Sequence, residues 1–132
     1  MMDDNRIPPP DNDDDSPTLY RRPIAPINAP VRLSLEVVTP LKARGRVFLF
    51  AAGQVIGRKD ADVLINDKRV SRQHARINAE KGEGGAIVLA LYDFGTPNGT
   101  FINGQRVMGR GVVRSGDEIR MGDHVFTLRV ID

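Results

Sequence analysis

Short apolar runs with a two-residue period dominate the sequence after residue 30. In the first run, apolar residues occupy every second position from 31 to 37 with polar residues between them, which is typical of a strand buried on one face. No window of useful length combines helical periodicity with helix caps. Because strand-like runs recur at intervals of roughly 8–12 residues, we predict an all-β sandwich or barrel. The other predicted strands cover residues 47–50, 54–56, 75–78, 86–93, 101–102, 105–107, 118–121 and 125–131.

Two glycine-containing pairs predict tight turns between these strands. Asn103-Gly104 separates two short runs, and it is a strong hairpin signal because both central residues of the favoured turn take positive φ. Gly122-Asp123 predicts a second hairpin near the end of the chain. In a sandwich of such strands, we expect functional residues on the loops at one end.

The composition changes sharply at residue 30. Seven of the nine prolines lie at or before Pro30, and all thirteen glycines lie after it. Residues 1–30 carry six acidic and three basic residues, whereas residues 31–132 carry sixteen basic and eleven acidic residues, a net charge of +5. The first segment has too few aliphatic side chains to offset its ordering entropy. We therefore predict a disordered tail over residues 1–30 and one folded domain over residues 31–132.

Several protein classes are disfavoured by the composition. No apolar run approaches the roughly 18 residues of a membrane span, and no apolar segment follows the acidic N-terminus as in a secretory signal. The absence of cysteine excludes disulfides and thiolate metal sites, and it fits a reducing cytoplasm. The basic domain favours an anionic ligand, although evenly spread surface Lys and Arg would give the same net charge.

No catalytic or metal-binding pattern is evident. His74 and His124 lack neighbours at zinc-ligand spacing. Ser71 lies three residues before His74, but no nucleophile elbow or orienting carboxylate accompanies the pair. The glycines form neither a Walker loop nor a dinucleotide fingerprint. We expect no enzymatic activity and no cofactor.

Polar residues with the chemistry of an anion site lie at three strand boundaries. Arg58 follows the strand at 54–56, Ser71 and Arg72 precede the strand at 75, and Asn98 precedes the strand at 101. Together they offer two guanidinium groups, a hydroxyl and a carboxamide, and charge-assisted hydrogen bonds of this kind hold a phosphate strongly. A carboxamide can also bond a peptide backbone as donor and acceptor. These loops could converge at one end of a sandwich.

The full series of motifs resembles the forkhead-associated (FHA) domain over roughly residues 33–131. Each motif is weak alone, but the order and intervals together are specific. The resemblance implies a sandwich of two antiparallel sheets with about eleven short strands and a ligand pocket in the loops. The matching motifs are Gly57-Arg58, Ser71-Arg72-x-His74, Asn98-Gly99-Thr100-x-x-Asn103-Gly104, and Gly116-Asp117-x-Ile119 with Phe126.

The resemblance also implies roles for individual residues. Arg58 would contact the phosphate of a phosphothreonine or the adjoining backbone, and Ser71 would donate its hydroxyl to the phosphate. Arg72 would add a second donor, and Asn98 would bond the ligand main chain just after the phosphothreonine. The residues that would support the loops are Gly57, His74 and Gly99. The implied partner is a phosphothreonine-containing protein, bound by a signalling adaptor downstream of a Ser/Thr kinase.

One position departs from the family pattern. Many members have Ser or Thr immediately before the Asn, and this chain has Pro97, which offers neither a hydroxyl nor a backbone donor. Thr96 is a possible additional ligand, with a role that Pro97 puts in doubt. Other interpretations stay open: Arg58 could pair with Asp60 or Asp62 on the surface, and the hydroxyl of Ser71 could satisfy a loop amide.

The predicted tail holds a single threonine, Thr18, behind a run of aspartates. A phosphate there would place nearly two negative charges within reach of the arginine cluster, so Thr18 is a candidate phosphosite for self-binding. The alternative is an unmodified, solubilising tail. The alternative functions for the domain are binding of nucleic acid through its basic surface, which has few aromatic platforms, or phosphate-independent protein interaction.

Overall fold

The structure is a computed structural model that describes residues 31–131. The predicted tail, with the candidate phosphosite Thr18, lies outside the described residues, as does Asp132. The described part contains eleven strands and two short 3₁₀ helices, Leu41–Ala43 and Glu83–Gly85. In chain order the strands are β1 (Arg32–Thr39), β2 (Val47–Ala51), β3 (Val55–Gly57), β4 (Val63–Leu64), β5 (Ala75–Lys81), β6 (Ile87–Asp93), β7 (Thr100–Ile102), β8 (Gln105–Arg106), β9 (Arg110–Val113), β10 (Glu118–Met121) and β11 (His124–Ile131).

The strands form two sheets. One has five strands in the order β9-β6-β5-β3-β4, and the other has six in the order β2-β1-β11-β10-β7-β8. Neighbouring strands are antiparallel except for the short pair β3 and β4, which is parallel. The predicted two-sheet, eleven-strand sandwich is confirmed. No helix within residues 31–131 is long and apolar enough to span a membrane.

The core lies between the sheets and follows the alternation seen in the sequence. In β1, Leu33, Leu35 and Val37 are almost fully buried, as the two-residue period predicts. β1 pairs with β11, which is far away in the chain, and β11 buries Phe126 and Leu128 on the same side. Burying each such side chain contributes roughly 1.5–3 kcal/mol to folding.

The Asn103-Gly104 turn has the predicted conformation. Asn103 has φ of 49° and Gly104 has φ of 85°, so both residues lie in the left-handed region that the hairpin requires. The side chain of Asn103 also donates to Asp117 and accepts a bond from the backbone N–H of Glu118. This residue therefore joins the β7–β8 turn to the start of β10. Gly122-Asp123 likewise connects two paired strands, β10 and β11.

Two strands are absent from the sequence-based prediction. β4 has only two residues, and its pairing with β3 joins Ile56 to Val63 in parallel. β9 (Arg110–Val113) contains Gly111 and follows Gly109, so its sequence has the composition of a loop. Both strands lie at the edges of the five-stranded sheet, where few neighbours impose a clear alternation.

The register of the five-stranded sheet brings the candidate loops to one end. Ile56, one residue before the end of β3, pairs with Ala75 at the start of β5, and Ala75 pairs with Asp93 at the end of β6. Three loops therefore begin or end at the same end of the strands of this sheet. They are the β3–β4 loop (residues 58–62), the β4–β5 loop (residues 65–74) and the β6–β7 loop (residues 94–99).

Candidate functional site

The β3–β4 and β4–β5 loops lie side by side through backbone hydrogen bonds. The N–H of Arg58 donates to the carbonyl of Ser71 at 2.9 Å, and the N–H of Lys59 donates to that of Arg72 at 3.1 Å. Gly57 makes this approach possible, since a Cβ at its position would lie 2.0 Å from the carbonyl oxygen of Arg72. Gly57 therefore lies where the two loops meet, and a role in loop support stays a prediction for it.

The side chain of Arg58 is exposed and held at its base. Its Nε donates to the carbonyl of Val70 at 3.0 Å, which leaves the two terminal guanidinium nitrogens outside this bond. The alternative surface pair is not formed within the described residues, because Asp60 binds another arginine and Asp62 accepts the backbone N–H of Val55. A guanidinium anchored by one nitrogen can still offer its other donors to an oxyanion.

Arg72 carries an ion pair of its own. Its Nη2 lies 2.6 Å from a carboxylate oxygen of Asp60, and the two side chains are 62% and 58% exposed. Gln73 also bonds the backbone carbonyl of Asp60. An exposed pair of this kind contributes typically less than about 1 kcal/mol. A ligand can therefore draw Arg72 away from Asp60 at small cost.

His74 joins three parts of the site from a fully buried position. Its Nδ1 accepts the backbone N–H of Ser71 at 3.0 Å, so the ring proton lies on Nε2, which donates to the carbonyl of Gly99 at 3.0 Å. Its own N–H donates to Ile56 in β3. The neutral ring thus fixes both the β4–β5 and the β6–β7 loops, while the hydroxyl of Ser71 stays outside these bonds.

The buried ring predicts an acid-sensitive fold. Burial lowers the pKa of His74 below its ordinary value of 6.5, although the Gly99 carbonyl and Asp93 act in the opposite direction. Well above pH 6.5 the ring is neutral in both the folded and the unfolded chain. Below that value the unfolded chain binds a proton first, so stability falls by up to about 1.4 kcal/mol per pH unit until the folded-state pKa is reached.

Denaturant unfolding at neutral pH and near pH 5 measures this effect. A His74→Gln variant has no titrating group at the position and should show a weaker dependence over the same range. An equal slope in both proteins would contradict the assignment. The carboxylates of Asp67 and Asp93 do not mask the effect of His74 on stability near pH 5. Their pKa values lie below the ordinary 3.8, so their protonation changes stability only in stronger acid.

Asp93 organises the β6–β7 loop and is missed by the sequence analysis. One carboxylate oxygen accepts the hydroxyls of Thr96 and Thr100, each at 2.7 Å, and the other accepts the backbone N–H groups of Gly95 and Thr96. Burial raises the pKa of Asp93, but these bonds outweigh it and the net shift is downward. The available signal was an Asp two residues before a Gly, which favours an Asx turn.

Thr96 is buried and its hydroxyl is fully engaged within the protein. It donates to Asp93 and accepts the backbone N–H of Gly99 at 3.1 Å. Gly99 is thereby held from both sides, since its carbonyl accepts from His74. In this arrangement Thr96 supports the loop, as Gly99 does, and its hydroxyl faces away from solvent.

Asn98 connects the β6–β7 loop to the β4–β5 loop. Its Nδ2 donates to the carbonyl of Arg69 at 2.9 Å, and the side chain is exposed. The carboxamide oxygen is outside this bond and can accept from a ligand backbone. Pro97 is exposed beside it. The side chain of Arg106, which the sequence analysis also misses, lies against Gly99, with Nη2 3.5 Å from the carbonyl of Thr96.

Asp67 anchors the β4–β5 loop to the other sheet. Its carboxylate accepts the N–H of Arg69 at 2.8 Å, the N–H of Asp123 at 2.7 Å and a bond from Nδ1 of His124 at 2.8 Å. Burial raises the pKa of Asp67, but the bond from His124 and the two backbone bonds outweigh burial, so the net shift of the pKa is downward. The loop that carries Ser71 therefore rests on the turn between β10 and β11.

The structure thus gathers the predicted residues into one connected site. Arg58 and Ser71 are joined through their backbones, His74 links Ser71 to Gly99, and Asn98 reaches the carbonyl of Arg69. Within residues 31–131, no group of three or more His, Asp or Glu is placed to hold a metal ion. The exposed cations around the site are Lys59, Lys68, Arg69, Arg72 and Arg106.

Sequence comparison identifies relatives of this chain. The family profile described as the FHA domain matches residues 54–122. The glycogen accumulation regulator GarA of Mycolicibacterium smegmatis is 36% identical over 63 residues, which is 48% of this chain and 36% of that protein. The transcriptional regulatory protein EmbR of Mycobacterium bovis is 34% identical over 90 residues, 67% of this chain and 22% of that protein. The matched stretch is therefore about a third or less of these curated relatives.

Solved structures agree with the profile. An FHA domain studied for its phosphothreonine-dependent interactions superposes with a TM-score of 0.61 at 29% identity, covering 76% of this chain and 98% of that one. EmbR of Mycobacterium tuberculosis, solved in complex with a low affinity phosphopeptide, gives a TM-score of 0.61 at 28% identity, covering 75% of this chain and 24% of that one. With its sandwich, its loop motifs and the profile match over half of its length, this chain belongs to the FHA domain family.

Proposed function

We propose that this chain is a phosphothreonine-binding module that recognises a phosphorylated partner protein and acts as a signalling adaptor. The observation that carries the proposal is the hydrogen-bonded convergence of Arg58, Ser71 and Asn98 at one end of the sandwich. A backbone bond from Arg58 to Ser71, the Nε of Arg58 and the Nδ2 of Asn98 hold the loops together, while terminal guanidinium nitrogens, a hydroxyl and a carboxamide oxygen remain for a ligand. FHA domains read phosphorylated motifs through such basic sites.

The proposed roles follow from the chemistry of a phosphate. Near neutral pH a phosphothreonine carries nearly two negative charges and three acceptor oxygens. Arg58 would supply positively charged donors to the phosphate. The hydroxyl of Ser71 would add a neutral donor whose bond to a phosphate oxygen is shorter. Asn98 would hold the peptide main chain next to the phosphothreonine, and Arg72 would add charge after leaving Asp60. Thr96, whose hydroxyl is engaged inside the loop, is assigned to loop support.

The surrounding charges favour an acidic ligand. Lys59, Lys68 and Arg106 are exposed near the loops, and the nearby carboxylates of Asp67 and Asp93 are saturated by internal hydrogen bonds. Such a surface raises the local concentration of an anionic partner and its association rate. We therefore expect phosphopeptides with acidic flanks to bind faster than those with basic flanks, and the difference to shrink as salt is added.

A titration with a matched peptide pair tests the proposed function. A phosphothreonine peptide with acidic flanks should bind at least about a hundredfold more tightly than its unphosphorylated twin, which corresponds to close to 3 kcal/mol. Isothermal calorimetry or fluorescence anisotropy measures both. Equal affinities for the two peptides would refute the proposal. Tight binding to generic DNA with a steep salt dependence would instead favour the nucleic-acid alternative.

The proposal includes a kinase-dependent regulation through Thr18. GarA is described as a regulator of glycogen accumulation, and relatives in Corynebacterium as oxoglutarate dehydrogenase inhibitors, so regulation by related chains has precedent. Thr18 follows Asp13-Asp14-Asp15, an acidic context suited to a Ser/Thr kinase. Once phosphorylated, it would compete with outside partners for the basic pocket. We also place the protein in the cytoplasm, which its lack of cysteine fits.

A Thr18→Ala variant tests the regulatory part separately. Kinase treatment should weaken binding of an outside phosphopeptide to the unmodified sequence, because the tail occupies the pocket, and should leave the variant unchanged. A Ser16→Ala variant is the matched control and should behave like the original sequence. The same kinase-dependent loss of affinity in the Thr18→Ala variant would remove the tail from the mechanism without touching the phosphothreonine-binding proposal.

A further inference from the structure

The strand β2 forms one edge of the six-stranded sheet, with β1 as its only neighbour among the described strands. Bonds that flank the pair are Val37 N–H to Arg46 O and Ala52 N–H to Val31 O. In an antiparallel ladder, bonded pairs alternate with unbonded ones. The even-numbered residues of β2 therefore bond to β1, and the backbone groups of Val47, Leu49 and Ala51 point outward from the sheet.

Only one end of this outward edge is capped. The N–H of Ala51 donates to the side-chain Oε1 of Gln54 at 2.9 Å, and its carbonyl accepts the N–H of Gln54 at 3.2 Å. The outward N–H and C=O groups of Val47 and Leu49 have no such partner within residues 31–131. They offer two donors and two acceptors to an additional strand.

The side chains along the edge are apolar and exposed. Leu49 is 72% exposed, Val47 is 49% exposed, and Leu41 in the preceding 3₁₀ helix is 73% exposed. Native proteins ordinarily protect an edge with Lys, Pro or a bulge, but residues 47–51 contain no charge and no proline. A groove lined by Leu49, Ala51 and Ile131 continues the apolar surface at the far end of the strand.

The charge beside this edge is positive. Residues 37–57 include Lys42, Arg44 and Arg46 and no acidic residue, and none of the three forms an ion pair within the described part of the chain. The nearest carboxylate in the register is Glu36, which lies opposite Val47 on β1. A strand that pairs with β2 would therefore gain from carboxylates placed near the three cations.

We propose that β2 is a docking strand for an extended, acidic segment of another protein, which adds to the six-stranded sheet as a further strand. Main-chain bonds to Val47 and Leu49 supply the pairing, and alternate apolar side chains of the partner cover Leu49. Carboxylates of the partner meet Lys42, Arg44 and Arg46. This surface uses none of the phosphothreonine site, so the proposal stands apart from the proposed function.

A synthetic strand is the probe for this surface. The peptide is acetylated and amidated, with Glu at alternate positions and Val between them. One control twin is N-methylated at every peptide nitrogen, so it cannot donate to a sheet, and a second twin carries Lys in place of Glu. Amide chemical shifts and hydrogen exchange of the nitrogen-15-labelled protein report where each peptide binds.

The expected result is a shift and slower exchange at the amides of Val47 and Leu49 with the Glu peptide alone. Leu49→Glu should weaken this binding about tenfold or more, since it removes apolar contact and repels the peptide. Val112→Glu is the control, an exposed valine on the β9 edge of the other sheet, away from the three loops, and should leave the affinity unchanged. Binding of a phosphothreonine peptide should be equal in both variants.

Three outcomes would overturn the proposal. The first is no binding of the Glu peptide, and the second is equal binding of its N-methylated or Lys twin. The third is a concentration-dependent dimer whose amide shifts at Val47 and Leu49 arise without any peptide, which would assign the edge to a second copy of this chain. None of these outcomes bears on the phosphopeptide titration.

Discussion

Replacement of Arg58 by Ala is expected to abolish most of the discrimination between a phosphothreonine peptide and its unphosphorylated twin. The guanidinium is anchored through Nε on the carbonyl of Val70, so its terminal nitrogens would meet the proposed ligand with little freedom left to lose. Loss of one partner in a hydrogen-bonded charge pair costs about 2–4 kcal/mol, which is roughly a 30- to 1000-fold weaker affinity. Calorimetry with both peptides measures the change.

The matched control for Arg58 is Arg129→Ala. Arg129 is also an exposed arginine, but it lies on β11 in the six-stranded sheet, away from the three loops. Both variants lose one positive charge, so a difference between them reports position and not net charge. If Arg129→Ala weakened phosphopeptide binding as much as Arg58→Ala, the loss of affinity would come from long-range charge attraction and not from a contact of Arg58 with the phosphate. The unphosphorylated peptide should bind both variants equally weakly.

Gly57→Ala is expected to destabilise the domain and to disorganise the site together. The new Cβ would lie 2.0 Å from the carbonyl oxygen of Arg72 and 3.0 Å from Cα of Gln73, and both contacts are with backbone. Relief requires the β4–β5 loop to move, which breaks the bonds from Arg58 and Lys59. We expect a loss of about 3 kcal/mol and a Tm lower by about 10 °C or more.

Gly111→Ala serves as the comparison for Gly57→Ala. Gly111 lies in strand β9 and would place its Cβ 2.9 Å from Cδ1 of Ile102, the end of a side chain that can rotate away. This variant should unfold within about 1 kcal/mol of the original chain and bind phosphopeptide normally. Equal thermal stability of the two variants, with equal peptide affinity, would show that the close approach at Gly57 is not needed.

The fold follows from the sequence wherever one face of a strand is buried. β1 and β11 are long and face the core, so their alternation of apolar and polar residues is plain. β4 and β9 are short edge strands, and β4 takes its position from a parallel neighbour that sequence spacing does not reveal. The local alternation of apolar and polar residues predicts the strands that bury one face, whereas the short edge strands form only through pairing with strands elsewhere in the chain.

The candidate site divides in a similar way. Arg58, Ser71 and Asn98 could be chosen because their side chains suit a phosphate and stand at strand boundaries in the order of the FHA motifs. Asp67 could not, since an acidic residue that bonds loop amides has the same local sequence as one in water. Asp93 offered only a weak signal, because it lies two residues before a glycine. The bond from the N–H of Asp123 to Asp67 joins residues 56 positions apart in the sequence, and local sequence pattern does not predict a contact at that separation.

The pairing of β1 with β11 has a consequence for synthesis of the protein on the ribosome. β1 emerges early, but its partner in the six-stranded sheet is the last strand described, and the turn that holds Asp67 directly precedes that strand. A nascent chain therefore has an unfinished sheet and an unanchored β4–β5 loop until nearly all of residues 31–131 are available. Such long-range pairing slows folding and leaves apolar surface exposed in the meantime. The growing polypeptide thus passes through a period in which its apolar surface is open to aggregation and its candidate site is not yet assembled.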